Sequence, residues 1–217
     1  MIKTNKFIEY SVFNTHEQYE IQDFIFRAIK IGVAGIVLPP AFLSEFAQLI
    51  PDGINIATVI DYPCGFEHTS VRQHAISSAL NRGAKSVDLV APHFFLLNKK
   101  PIKFKDDIKA CLDTCLAKDG TLRVMLDYRL IRQTKEIDEV CYILKELGIQ
   151  YILPSTGFFV DEFWDNLIIS DHIEDTHKIS TITNGNIYSE KHFESALKCQ
   201  IFGLRINSIT ALERLLI

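Results

Sequence analysis

Short apolar, β-branched runs alternate with longer amphipathic segments from one end of the chain to the other. The runs FIEYSVF (7–13), VAGIVL (33–38), INIATVI (54–60), SVDLVA (86–91), LRVML (122–126), QYILP (150–154), KISTIT (178–183) and IFGLRI (201–206) predict strands. Between them, EQYEIQDFIFRAIKIG, SVRQHAISSALNRGA, DDIKACLDTCLAKDG and EIDEVCYILKELGI carry helical periodicity, and the first and last of these run directly into a glycine, a common helix stop. Thr210 and Glu213 have capping-box spacing and predict the start of a final helix.

Strand followed by helix, repeated about eight times, predicts parallel strands joined by right-handed crossovers. In 217 residues this favours α/β architecture of the closed (β/α)8 TIM-barrel kind, as one domain over residues 1–217. A doubly wound open sheet is the alternative. It would need a glycine fingerprint such as G-x-G-x-x-G after the first strand, and none is present.

In a barrel, chemistry sits where strands end at the C-terminal face. That rule selects Asn14, Pro39 and Pro40, Asp61 to Gly65, Asp88 to His93, Asp127 to Arg129, Pro154 to Phe158, Thr183 to Asn186, and Asn207 to Thr210. Asp61, Asp88 and Asp127 come from three successive strand ends and offer either acid–base chemistry or carboxylate ligands for a cation. Loop capping or pairing with Arg129 is the competing role for Asp61 and Asp127, and the absence of an accompanying histidine cluster argues against a metal. Asp88 differs, because it interrupts an apolar run and its burial demands a partner. His93 is a further acid–base candidate at the rim.

HIEDTH (172–177), with two histidines five apart, reads as a polar helix-to-strand connection rather than a metal site. Cys64 in DYPCGF lacks an identified base and reads as a spectator thiol. The pairs Phe94-Phe95 and Phe158-Phe159 are placed to close over a pocket, with core or interface packing as the default.

Composition narrows the partners. The chain is 47% hydrophobic and 23% charged, with a formal net charge of -4, which favours neither nucleic acid nor an anionic membrane. Five cysteines without paired spacing read as reduced thiols of a cytoplasmic protein, with Cys111 and Cys115 as buried hydrophobes on one helix face. The opening MIKTNKFIEYSVF lacks the pattern of a signal peptide, and no run approaches a membrane span.

IATVIDYPCGF, NRGAKSVDLV, LRVMLDYRLI and YILPSTGFF, in this order and spacing, resemble the deoxyribose-phosphate aldolase family. IEYSVFNTHEQYEIQDF, GIVLPPAFL, TNGNIYS and GLRINS extend the resemblance over nearly the whole chain. It implies a class I aldolase barrel, in which one strand-end lysine forms a Schiff base, a second depresses its pKa, and an aspartate relays protons. The relay position is Asp88, whereas the Schiff-base position is Leu153 and the supporting-lysine position is Ile182. Lys178 and Lys85 are wrongly placed to substitute, and Lys99 and Lys100 are the remaining candidates.

The implied ligand-binding residues are Ser155, Thr156, Gly157, Gly185, Asn186, Asn207 and Ser208, with Asn186 and Asn207 standing where the family has glycines. Backbone N–H groups at such turns and helix starts suit an anion. The expected ligand is therefore a small molecule of the phosphorylated-sugar class. No metal, organic cofactor, nucleic acid or membrane is expected, and a second copy of the chain is the expected protein partner. Two readings follow. One is an enzyme working without a Schiff base, through Asp88 with Asp61, Asp127 or His93. The other is a non-catalytic descendant that binds a ligand or a protein.

Overall fold

The computed structural model describes residues 5–131, 134–158, 162–184 and 189–216. Eight parallel strands close in sequence order, with β8 pairing back onto β1: β1 Phe7–Ser11, β2 Gly35–Val37, β3 Asn55–Ile60, β4 Ser86–Val90, β5 Thr121–Met125, β6 Tyr151–Leu153, β7 Ser180–Asn184 and β8 Gly203–Ile206. The expected (β/α)8 barrel is what forms.

The surrounding helices are α1 Gln18–Ile31, α2 Leu43–Phe46, α3 Thr69–Asn81, α4 His93–Leu97, α5 Pro101–Leu116, α6 Thr134–Glu146, α7 Phe163–His177, α8 Glu190–Lys198 and α9 Ile209–Leu216. Helix α1 ends at Gly32, whose φ of 86° suits a residue without Cβ and whose N–H reaches Ala28 and Ile29 carbonyls. No helix is long and apolar enough to cross a membrane among the described residues.

Period-two alternation divides the core into two parts. Outward residues such as Tyr10, Ile36, Val87, Leu89, Val124 and Ile152 pack with helix residues including Ile21, Ile25, Ile76, Ile108 and Leu144. Inward residues Val37, Ala57, Val59, Val90, Met125, Leu153 and Ile182 form a separate apolar cluster within the barrel. Cys111 and Cys115 are buried, and all five cysteines are unbonded.

The final helix starts differently from the expected capping box. Ser208 Oγ accepts the Ala211 N–H at 3.2 Å, so the cap lies before Ile209, and Thr210 is already helical. Glu213 instead receives Arg27 of α1 at 2.8 and 2.7 Å, clamping the first helix to the last. The pair Thr210/Glu213 misled because Ser208 supplies an equivalent hydroxyl two residues earlier. Ser208→Ala should destabilise the protein by about 0.5–2 kcal/mol, read by urea unfolding, whereas Thr210→Ala should be near neutral.

Candidate functional site

Strand pleating points Glu9 of β1, Asp88 of β4, Arg123 of β5 and Arg205 of β8 into the barrel, where all four are buried. Arg123 donates to Asp88 through Nε at 2.5 Å and Nη2 at 3.0 Å, and through Nη1 to Glu9 at 2.9 Å. Arg205 donates through Nε to Glu9 at 2.6 Å and through Nη2 to Asp88. Two guanidinium and two carboxylate groups thus alternate in a closed, formally neutral ring. Burial alone would push the Asp88 carboxyl up, but Arg123 and then Arg205 outweigh it and hold Asp88 below the usual carboxylate range.

Arg123 and Arg205 are thus the partners that burial of Asp88 demands. Asp88 also lies deeper than a strand end, since Val90 follows it on the same face. Ile182 is likewise deep. It shares a cavity of about 180 Å³ with Phe7, Tyr151 and Phe202, at the end where the strands begin, and Asn184 lies beyond it on β7. Leu153 ends β6, as expected, and packs in the inward apolar cluster.

No lysine is buried among the described residues. Lys99 and Lys100, between α4 and α5, are exposed, and Lys178 caps α7 in a left-handed conformation before β7 begins.

The three carboxylates expected at strand ends are taken up by different arginines. Asp61 lies 3.4 Å from Arg72 and accepts the Phe66 and Glu67 amides, so it organises the loop after β3. Its carboxyl is pushed up by burial despite Arg72. Asp127 accepts the Arg129 amide at 3.2 Å and its Nε at 3.1 Å. His93 is buried at the start of α4, and its Nε2 accepts the Asp127 amide at 2.9 Å. Burial pulls its pKa down to about 4, so the ring is neutral at physiological pH.

The loop after β6 turns at Gly157, with φ of 71°. Ser155 Oγ accepts the Gly157 amide at 2.9 Å, and Thr156 Oγ1 accepts the Phe158 amide at 3.3 Å. These hydroxyls meet amides that were expected to face an anion. Asn184 Nδ2 donates to the Ser155 carbonyl at 2.5 Å, tying the sixth strand end to the seventh. Gly185 and Asn186 lie outside the described residues, as does Phe159. Asn207 follows β8 and Ser208 caps α9.

Aromatic side chains follow β1, β3, β4 and β6. Tyr62 stands 6.3 Å from Phe13 and 6.0 Å from Phe158, while Phe66 stands 6.2 Å from Phe94, which packs on Phe95. Phe13, Tyr62, Phe66 and Phe158 are exposed. Phe158 and Phe94 thus each meet an aromatic residue from the segment after β3, Tyr62 and Phe66 respectively.

HIEDTH proves to be helical. His172 and His177 belong to α7, and both Nε2 atoms reach Asp138 Oδ1 of α6, at 2.8 and 2.7 Å. The polar spacing misread as a connection is the end of a helix that packs on its neighbour.

No family profile matches the chain. It is 25% identical over 142 residues to a deoxyribose-phosphate aldolase of Syntrophotalea carbinolica, covering 65% of this chain and 63% of that protein. It is 28% identical over 132 residues to a deoxyribose-phosphate aldolase of Clostridium botulinum, covering 61% and 58%. The matches thus span about three-fifths of the length of these relatives. A solved structure described as "QR15, an Aldolase" superposes with a TM-score of 0.86 at 20% identity, covering 99% of this chain and 96% of that one.

Proposed function

Given that this chain is a (β/α)8 barrel of the deoxyribose-phosphate aldolase family, we propose that it does not work through a Schiff base and that it binds a small molecule at its C-terminal mouth. The observation that carries this reading is the barrel interior. The positions that resemble the two lysine sites hold Leu153 and Ile182, both buried in the inward apolar cluster. Asp88, at the relay position, is spent on two arginines. A carboxylate held ionised by two guanidinium groups is a weak base, because protonation would break its ion pairs.

Acid–base chemistry by the other candidates is also poorly supported. Asp61 and Asp127 hold loops, and His93 is buried and engaged with the Asp127 amide. A binding role therefore fits the site better than a new reaction. The exposed aromatic residues around Tyr62 and Phe158 offer apolar walls, and the exposed Gly157 has open space where a side chain would sit. The ligand class is a phosphorylated sugar, on the strength of the family resemblance. Five unbonded cysteines fit a reducing, cytoplasmic setting.

Incubation with deoxyribose 5-phosphate, followed by borohydride reduction and intact-mass measurement, should give no covalent adduct. The same sugar phosphate should raise the unfolding temperature, because a ligand of the native state stabilises it by mass action. An adduct on any lysine would overturn the first claim, with Lys99 and Lys100 the first positions to map. An unchanged unfolding temperature at saturating sugar phosphate would remove this ligand class.

A further inference from the structure

We propose that Asp138, His172 and His177 form a binding site for a divalent first-row transition metal, zinc in particular, on the outside of the barrel between α6 and α7. The three candidate ligand atoms, one carboxylate oxygen and two imidazole nitrogens, lie within 4.8 Å of one another. Two neutral imidazoles and a carboxylate are a donor set that zinc accepts in tetrahedral sites, with a fourth position left to water.

The placement follows from the helices. Residues five apart lie about 140° around an α-helix, so the two imidazoles reach toward Asp138 from either side rather than stacking on one face. His177 is the last residue of α7 and Asp138 sits in the second turn of α6. Both Nε2 atoms converge on the single atom Oδ1. Tetrahedral bonds of about 2.0–2.1 Å put ligand atoms about 3.3 Å apart, so a cation needs the carboxylate oxygen to withdraw by about half an ångström from each ring and the two ring nitrogens, now within 4.8 Å of each other, to settle at that same spacing.

The surroundings favour one rigid ligand and two adaptable ones. The His177 side chain is 3% exposed and meets the edge of Tyr142 at 5.3 Å between ring centroids. His172 and Asp138 are 30% and 31% exposed, which leaves an entry path and room for solvent on the metal. Thr176 Oγ1 lies 3.4 Å from His172 Nδ1, the ring nitrogen that stays free when Nε2 binds metal. Lys145 Nζ donates to the His177 carbonyl at 2.8 Å, a second tie between the same two helices. A bound cation would replace two hydrogen bonds on one oxygen with three coordinate bonds and clamp α6 to α7.

Titration calorimetry of the metal-free full chain with zinc chloride tests this, beside Asp138→Ala and His172→Ala, both partly exposed positions. One zinc per chain is expected, with a raised unfolding temperature. Loss of a direct ligand should weaken binding at least as much as loss of a supporting residue, roughly 100-fold. Cobalt in place of zinc should give the intense visible bands of a tetrahedral site in the wild type and lose them in both variants. Circular dichroism shows that the variants fold; if either does not, the wild-type cobalt spectrum decides alone. No zinc binding, an octahedral cobalt spectrum, or binding that survives in both folded variants would overturn the site and leave a hydrogen-bonded clasp.

Discussion

Asp88→Asn should destabilise the protein by about 3–5 kcal/mol, because removing one member of a buried ion-pair network leaves the others uncompensated. Arg123 and Arg205 would then share only Glu9 in the buried barrel interior. Urea unfolding at pH 7 measures the loss. The pH dependence has a definite sign. Asp88 has a folded-state pKa below its unfolded value, so its contribution is complete above the unfolded value of about 3.9 and disappears as pH falls through the folded value. The difference between wild type and variant should therefore be flat from pH 5 to 8. A difference that grows as pH falls through this range would mean a protonated Asp88 and would break the ring as described.

Arg72→Met should cost about as much, again 3–5 kcal/mol, for a different set of groups. Arg72 is fully buried on α3, and its guanidinium bonds to Asp107 of α5 and, at 2.6 Å, to the Val90 carbonyl that ends β4. Its Nε faces Asp61 at 3.4 Å. The methionine variant would bury two carboxylates and a carbonyl without their cation. Asp61 is already pushed up by burial and only partly relieved by Arg72. Without Arg72 it should rise further, and a group with a raised folded-state pKa gains stability as pH falls through that value. The deficit of Arg72→Met should accordingly shrink as pH falls from 7 toward the unfolded carboxylate value of about 3.9. A deficit that is constant over this range would place the cost in Asp107 rather than Asp61.

The eight strands were legible because each buries two faces, leaving apolar runs bounded by turn residues. The short helices α2 and α4 were not, since four- and five-residue segments carry too few turns to show a period. Asp88 stood out as a charge inside an apolar run. Glu9 in FIEYS, Arg123 in LRVM and Arg205 in GLRI carry the same signal, and it was missed. Alternation tells which side chains point inward. Which charges then meet across the barrel depends on the stagger of the strands, which no single strand encodes. The same limit separates HIEDTH from Asp138, 34 residues upstream of His172: helix periodicity shows a polar face but not the neighbour it meets.

The ring of Glu9, Asp88, Arg123 and Arg205 also sets an order of events in time. Glu9 and Arg205 are separated by 196 positions, so the ring is complete only when the last strand has docked against the first. Until then the nascent barrel holds Glu9, Asp88 and Arg123, a net negative charge, in an unsealed interior. Contacts this distant in sequence form late, because the loop entropy is lost before they can reward it. Closing the barrel is thus coupled to neutralising it, and a chain released without β8 would remain an open, hydrated and aggregation-prone intermediate.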